Sequence, residues 1–340
     1  MIRQPTMSEP RVSIAMCTYN GERFVEQQLS SLAAQTRRPD EIVVCDDCSS
    51  DGTVAILEAF ATTSGLDVRV IRNETTLGLH ANFERAIAAC TGEIVFLCDQ
   101  DDIWLETKIE RFLAVFDVHQ ECGYVFCDAV TFTGDDTVDA ESWWSAIGFS
   151  GRRQARYSQG DQIDVMLNDG NIVYGMSMAF RSTYRDVVLP IESRSKDYTH
   201  DTWIALLLSA IGAVGVALPE TLVRYRRHDA QTSIDPSMQP LGPIDRLRFA
   251  TDYADHLSEN NARVLRALAE RAARHASPGR GSSEALRALR MKADHIDARR
   301  TIRRRRYRMA ALTLATTELL SGRYRRFSSG WKSFVKDLIR

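Results

Sequence analysis

The sequence predicts an α/β fold, with a mostly parallel central sheet followed by an α-helical C-terminal region. Three observations predict it. Strand-like and helix-like segments alternate through the first 130 residues, carboxylate clusters fall at the ends of apolar strands, and from Asp245 onward the chain has a helical pattern rich in Ala, Arg and Leu. Alternation of this kind lays strands side by side in parallel, with helices crossing over both faces. Ligands of such sheets bind beyond the carboxyl ends of the strands, and there the chain puts its acids.

In chain order, Val12 to Thr18 is a short apolar run, and Glu22 to Gln35 places Phe24, Val25, Leu29 and Leu32 at helical spacing. Glu41 to Cys45 is a second strand that ends in Asp46-Asp47. Ser49, Ser50 and Asp51 supply capping side chains for a helix over Thr53 to Phe60. Val68 to Ile71 and His80 to Cys90 read as the third strand and helix, and Glu93 to Cys98 as a fourth strand. Residues 131 to 165 are less regular and carry Trp143-Trp144. An apolar run over Ile172 to Phe180 and a helix over Thr199 to Ser209 follow, and His275 to Ser283 reads as a loop dividing the helical region.

Composition narrows the class. The apolar fraction of 44% and charged fraction of 26% are ordinary for a globular protein. Met1 to Pro10 is short and polar, so no signal peptide is expected. The longest apolar stretch, Trp203 to Pro219, is broken by Ser209, Gly212 and Gly215, and falls short of the ~20 residues that span a bilayer. It reads as a buried helix running into a strand. Seven cysteines lie between Cys17 and Cys127, an odd number in strand-like runs, which suits reduced thiols in a cytoplasmic protein. Cys45 and Cys48 form a C-x-x-C with no second pair at zinc spacing.

The net charge of −2 conceals an asymmetry. Arg299 to Arg340 holds thirteen Lys/Arg and two acids, a net +11, which leaves −13 on the first 298 residues. With Tyr324, Phe327, Trp331 and Phe334 among its basic residues, this tail reads as an interfacial amphipathic region for an anionic membrane surface. That would make the protein peripheral on the inner face of the cytoplasmic membrane. Nucleic acid is the competing partner, but no recognised nucleic-acid module accompanies the basic run. A solvated helix face is the bland alternative.

The chemistry-bearing clusters are acidic. Asp99-Gln100-Asp101-Asp102 follows a buried strand, and three carboxylates in four residues repel one another unless a cation joins them. Hard oxygen ligands suit Mg2+ or Mn2+, which also bind substrate phosphates. A solvated turn with acidic caps is the competing reading. Asp46-Asp47, at another strand end, offers acceptors for a pyrimidine N–H or a ribose hydroxyl, or else forms a second Asp-rich turn.

Together these segments resemble family 2 glycosyltransferases of the GT-A fold. The resemblance runs through VSIAMCTYNG (12–21), QLSSLAAQ (28–35), EIVVCDDCSSDGT (41–53), GLHANF (78–83) and GEIVFLCDQDDIW (92–104), and spans roughly the first 230 residues. The DQDDIW form, with G-x-x-x-N-F upstream, is most similar to the rhamnosyltransferase branch that builds bacterial surface polysaccharides. Cys48 stands where the family usually has Gly, which is expected to strain the turn without abolishing nucleotide binding.

The resemblance implies an inverting, metal-dependent transfer of a sugar, with dTDP-rhamnose the expected donor, onto a glycan or lipid-linked glycan. It implies that Thr18, Tyr19, Asn20 and Asp46 or Asp47 line the nucleotide pocket. Asp99 would contact ribose or donor sugar, Asp101 would ligate the metal, and Asp102 would support the sugar or the site geometry. Gly175 matches a small position that opens the acceptor pocket. His200-Asp201-Thr202-Trp203 matches the acidic motif carrying the base: Asp201 takes the acceptor's proton, flanked by His200 and Trp203 toward the acceptor. A helix cap is the competing reading of Asp201. His228, in Tyr225-Arg226-Arg227-His228, would complete the metal shell or touch the diphosphate, and Arg226 or Arg227 would pair with phosphate oxygens.

The domains expected on this basis are 1–240 for the GT-A part and 241–340 for the basic helical region. Within the first, residues 10–130 would bind nucleotide and 131–240 acceptor. A nucleotidyltransferase would need a glycine-rich basic loop after the first strand, where the chain has Cys17 to Gly21. A non-catalytic nucleotide-sugar binder would be expected to lack Asp101, Asp201 or His228. A nicotinamide dehydrogenase is excluded, because no G-x-G-x-x-G follows the first strand.

Overall fold

The computed structural model describes residues 9–133, 138–168, 171–193, 195–229, 257–276, 280–304 and 308–339. The elements run β1 (Val12–Thr18), α1 (Val25–Ala33), β2 (Glu41–Asp46), α2 (Thr53–Thr63), β3 (Val68–Arg72), α3 (Leu79–Ala89), β4 (Ile94–Cys98), β5 (Ile103–Trp104) and α4 (Lys108–Val118). Next come β6 (Cys122–Phe132), β7 (Val138–Ser142), α5 (Trp143–Ala146), α6 (Arg152–Ser158), α7 (Gln162–Asn168), β8 (Met178–Arg181), α8 (Arg185–Val188), α9 (His200–Ala210) and β9 (Val214–Arg226). The described chain closes with α10 (Glu259–His275), α11 (Arg280–Arg304), α12 (Arg308–Leu320), α13 (Arg323–Phe327) and α14 (Trp331–Ile339).

By contacts the chain forms two compact units that alternate along the sequence: residues 1–148, 173–191 and 214–227 make the first, and 149–172, 192–213 and 228–340 the second. The boundary expected at residue 240 lies outside the described residues.

Among the described residues the first unit holds all nine strands in one sheet, in the order β3-β2-β1-β4-β8-β6-β9-β5, with β7 added on β6. β1 runs parallel to both β2 and β4, and β2 parallel to β3. β8 is antiparallel to both β4 and β6, while β9 is parallel to β6. Every residue of β1, β2 and β4 is buried, as parallel strands covered on both faces require, whereas β3 at the sheet edge is only partly covered. The expected strands thus stand almost where their apolar runs put them. Two differences matter. Of the run Ile172 to Phe180, only the end is strand, because Gly175–Ser177 forms a 3-10 turn first. Helix α4 and the eleven-residue β6 were not anticipated, and β6 occupies the middle of the sheet.

The second unit is helical. Ten of the eleven residues of α9 are buried, which explains its nearly unbroken apolar sequence. The Arg271 guanidinium of α10 lies 5.5 Å from the ring centre of the fully buried Trp203, and Asn261 Nδ2 donates to Asp197 at 2.6 Å. Helix α11 begins at Arg280, inside the stretch expected to be a loop. Two of the tail aromatics expected at a membrane boundary are interior: Tyr324 and Phe327 pack around His295, and Phe334 lies on the small cluster of Ile302, Ala311 and Ala315. Among those four aromatics only Trp331 is well exposed. No described helix is long and apolar enough to cross a membrane.

Candidate functional site

The carboxyl ends of β1, β2 and β4 lie side by side in the sheet, so the segments that follow them form one surface of the first unit. The turn after β1 is laced to the turn after β2. Thr18 Oγ1 donates to Asp46 Oδ2 at 2.8 Å, and Asp46 also accepts from Ser49 N at 2.9 Å and Ser49 Oγ at 2.5 Å. Asn20 N donates to Ser49 Oγ and its Oδ1 accepts from Ser50 N, both at 2.8 Å. Both turns use left-handed residues, Asn20 at φ +46° and Cys48 at φ +66°. Asn visits that region with little penalty, while Cys does so at a cost, and this is where the family resemblance expected glycine. Asp47 faces the other way: it accepts from Asn73 Nδ2, Leu77 N and Gly78 N at 2.7, 2.7 and 2.8 Å. Both carboxylates are buried and already hydrogen-bonded within the chain. Tyr19, by contrast, is 53% exposed.

The acidic turn after β4 is tied to this surface by Gln100. Its Oε1 accepts from Tyr19 N at 2.9 Å and its Nε2 donates to Tyr19 O at 3.1 Å. A β-carbon on Gly21 would run into the same Gln100 side chain, so the clasp requires glycine there. Asp99 and Asp101 are half-exposed and Asp102 is buried. Asp102 Oδ1 accepts from Arg226 N at 3.0 Å, while Oδ2 has no hydrogen-bond partner among the described residues. Burial, with the charges of Asp101 and Asp99, pushes the Asp102 carboxyl well above the usual carboxylate range.

Behind the turn sit two cations. Arg226 is buried: Nε donates to Asp101 O at 2.8 Å, a terminal nitrogen donates to Gln27 Oε1, and the guanidinium lies over the rings of Phe24 and Phe132. The resemblance offers it, or Arg227, as a partner for phosphate; in this structure it braces the turn that carries Asp101 and Asp102. Lys108 is fully buried, 3.4 Å from the Trp104 ring centre, and donates to Met176 O at 2.6 Å. Burial pushes its ammonium down to about 8. Gln100, Gln27 and Lys108 were missed in the sequence. Gln100 stands inside the acidic motif itself and Lys108 six residues beyond it, while Gln27 lies more than seventy residues upstream. An open groove of about 780 Å³ lies alongside, lined by Glu26, Gln27, Ser30, Trp104, Glu106 and Arg224.

Among the described residues no three His, Cys, Asp or Glu side chains are gathered to hold a metal ion. Magnesium is commonly held by one or two carboxylates together with substrate phosphates. A crowded acidic turn with one buried, unpartnered carboxylate oxygen fits that demand.

The remaining predicted residues are placed as follows. Gly175 is buried and opens the 3-10 turn before β8 in the first unit. In the second unit, His200, Asp201 and Trp203 lie on the first turn of α9. Asp201 is buried, and its Oδ1 accepts from Thr199 Oγ1 and from Thr202 N at 2.6 Å. His228 is half-buried just after β9. All seven cysteines are free; six are buried, and burial raises the Cys45 thiol to about 11.

A sheet with β8 reversed between β4 and β6, an acidic turn at its carboxyl edge and a helical second unit define a GT-A fold. The same fold is seen in the crystal structure of Staphylococcus aureus TarS residues 1–349 in complex with UDP, with TM-score 0.55 at 16% identity, covering 96% of this chain and 89% of that one. The profile of glycosyl transferase family 2 matches residues 13–187, more than half of the sequence, and the chain belongs to that family. An uncharacterized protein of Mycobacterium tuberculosis is 30% identical over 228 residues, 64% of this chain and 59% of its own length. The chain therefore spans under two thirds of that relative. Escherichia coli WfgD, named as a UDP-Glc:alpha-D-GlcNAc-diphosphoundecaprenol beta-1,3-glucosyltransferase, is 33% identical over 109 residues, 32% of this chain and 42% of its own.

Proposed function

We propose that the chain is an inverting glycosyltransferase that moves a sugar from a nucleotide-diphospho-sugar to an acceptor hydroxyl in polysaccharide biosynthesis. The observation carrying this is the acidic turn Asp99–Asp102, clasped through Gln100 to Tyr19 at the carboxyl edge of a family 2 sheet. In this reading the nucleotide lies against Thr18, Tyr19 and Asn20. Asp46 and Asp47, whose carboxylates already bind the chain, hold the walls of that pocket in place. Asp99 and Asp102 serve the ribose and donor sugar, and Arg226 acts by bracing the turn. Mg2+ or Mn2+, held by Asp101 with His228, would neutralise the leaving diphosphate.

Asp201 is the proposed base. It takes the proton of the acceptor hydroxyl while the oxygen attacks the anomeric carbon from the face opposite the diphosphate, whose bond to that carbon breaks. Configuration therefore inverts. Help of this kind is worth roughly 10² to 10⁴ in rate. Gly175 and His200 serve the acceptor, and Trp203, with no exposed surface, acts through the placing of α9. The relatives named with UDP or a diphosphoundecaprenol acceptor favour a pyrimidine nucleotide and a lipid-linked glycan. Within that class dTDP-rhamnose is the donor favoured by the DQDDIW form. A lipid-linked acceptor places the reaction at the anionic inner face of the cytoplasmic membrane, with no part for nucleic acid.

The test is a panel of nucleotide-sugars offered with and without chelator to the parent, Asp101→Asn and Asp201→Asn. One pyrimidine donor should turn over, chelator and Asp101→Asn should each abolish turnover, and Asp201→Asn should cut it by orders of magnitude with donor affinity kept. A product of retained anomeric configuration, or full rates in both variants, would sink the proposal.

A further inference from the structure

Among the described residues, all six large apolar side chains that the second unit exposes lie between Met309 and Ile339. They fall on two helices, each apolar on two sides. In α12, Ala311 and Ala315 face inward while Met309, Leu312 and Leu320 are 75%, 42% and 82% exposed. With the half-buried Thr316 between Leu312 and Leu320, these form a single outward stripe at spacings of three and four. In α14, Trp331, Val335 and Ile339 recur every fourth residue on the outer side, while Ser333 and Asp337 are buried. A helix that needs only one apolar face to pack gains nothing inside the protein from the second.

The segment that carries these stripes exposes charge of one sign, and the structure shows why. The only acids from residue 299 onward, Glu318 and Asp337, are both buried. Asp337 accepts from Arg299 Nε at 2.6 Å, Arg303 Nε at 2.6 Å and Tyr324 Oη at 2.7 Å, and Glu318 accepts from Arg323 at 2.8 Å. Negative charge is thus consumed inside, and Arg304, Arg325 and Lys332 are left exposed. A second copy of this face would bring like charges together. Nucleic acid would match the charge and leave both stripes in water. An anionic bilayer satisfies both at once, with headgroups for the cations and the acyl boundary for the stripes.

We propose that the outward face of α12 and α14 docks on an anionic lipid bilayer through Met309, Leu312, Leu320, Trp331, Val335 and Ile339. This deepens the membrane-side reading given above, and rests on it for location but not for sugar chemistry. Of the aromatics the sequence suggested only Trp331 remains in this face, since Tyr324 and Phe327 are interior and Phe334 is half-buried.

The test is co-sedimentation of the full chain with phosphatidylcholine vesicles, with and without phosphatidylglycerol. The parent should sediment with the anionic vesicles only, and at least tenfold less in high salt, where surface charges are screened within a few ångströms. Leu312→Ser, Leu320→Ser, Trp331→Ser and Ile339→Ser combined should weaken binding about a hundredfold with circular dichroism unchanged. Should that combination not fold, Arg325→Glu with Lys332→Glu should weaken binding to anionic vesicles alone. Bromolipid quenching of tryptophan emission should vanish in Trp331→Phe. Transfer to a short soluble acceptor should persist in all of these variants, so a dead transferase and a failed docking face read out separately. Vesicle binding unchanged in the serine variant, equal binding to neutral vesicles, or a parent dimer that the serines split would each overturn the proposal.

Discussion

A β-carbon on Gly21 would strike the end of the Gln100 side chain that holds Tyr19 by both its backbone groups, so a larger residue there must push that side chain aside. Gly21→Ala should therefore release the clasp and weaken binding of a nucleoside diphosphate about tenfold, read by calorimetry, with thermal stability lowered by about 1 kcal/mol for the two hydrogen bonds disturbed. Unchanged affinity would separate the clasp from ligand binding. At this scale the acids of the site were legible, because Asp46-Asp47 and Asp99 to Asp102 are contiguous and follow strands that apolar runs reveal. Their partners were not. Gln100 reaches Tyr19 across 81 positions, Arg226 reaches Asp102 across 124, and Gln27 across 199. No local pattern announces a hydrogen bond made at that distance along the chain. For the same reason the sequence, which offers Arg226 as a phosphate partner, does not show that it also lies beside two aromatic rings, the Gln27 side chain and the Asp101 carbonyl.

Helices α11 to α14 share a polar interior. His295 lies with Nδ1 2.7 Å from Glu318 Oε2 and Nε2 2.9 Å from Ser328 Oγ. This has the order of a nucleophile, base and acid, but Arg299 donates to the same serine oxygen at 2.9 Å and His295 is closed to solvent, so the line is structural. Burial holds the His295 imidazole below its ordinary value, outweighing the opposing pull of Glu318. A histidine depressed on folding takes up a proton more readily in the unfolded chain, so its contribution is intact above about 6.5 and is lost progressively as pH falls from there through its lower folded value. Thermal melts followed at the helical signal should drop between pH 7 and pH 5, and His295→Gln should flatten that dependence; an equal slope in both would refute it. β1, β2 and β4 were readable because strands covered on both faces are largely apolar, and the partly covered β3 because Val68, Val70 and Ile71 still stand out beside Arg69 and Arg72. Helix α4 was not, since it opens on Lys108, a residue that reads as surface and is covered on every side. The tail aromatics misled for a similar reason: composition marks an aromatic residue as apolar but does not say whether its apolar neighbour is a lipid or a histidine ring.

Over the whole molecule the chain passes between its two units five times, at 148/149, 172/173, 191/192, 213/214 and 227/228. A reading that cuts the sequence into consecutive blocks does not see this, because apolar periodicity reports burial and not the partner that provides it. The order of the sheet then sets an order in time. β6 is made early, and although β7 follows at once to pair with its end, the strands that flank its length, β8 and β9, begin only at Met178 and Val214. At about 5–20 residues per second, this eleven-residue strand emerges from the ribosome several seconds before β8 or β9 exists. Bare strand edges template association with other chains. Cell-free synthesis should consequently yield more soluble protein when a ribosome-associated holding chaperone is present, and Val125→Lys, placed inside β6, should lose the soluble product altogether. Equal yields with and without the chaperone would mean that the nascent strand finds temporary cover within its own chain.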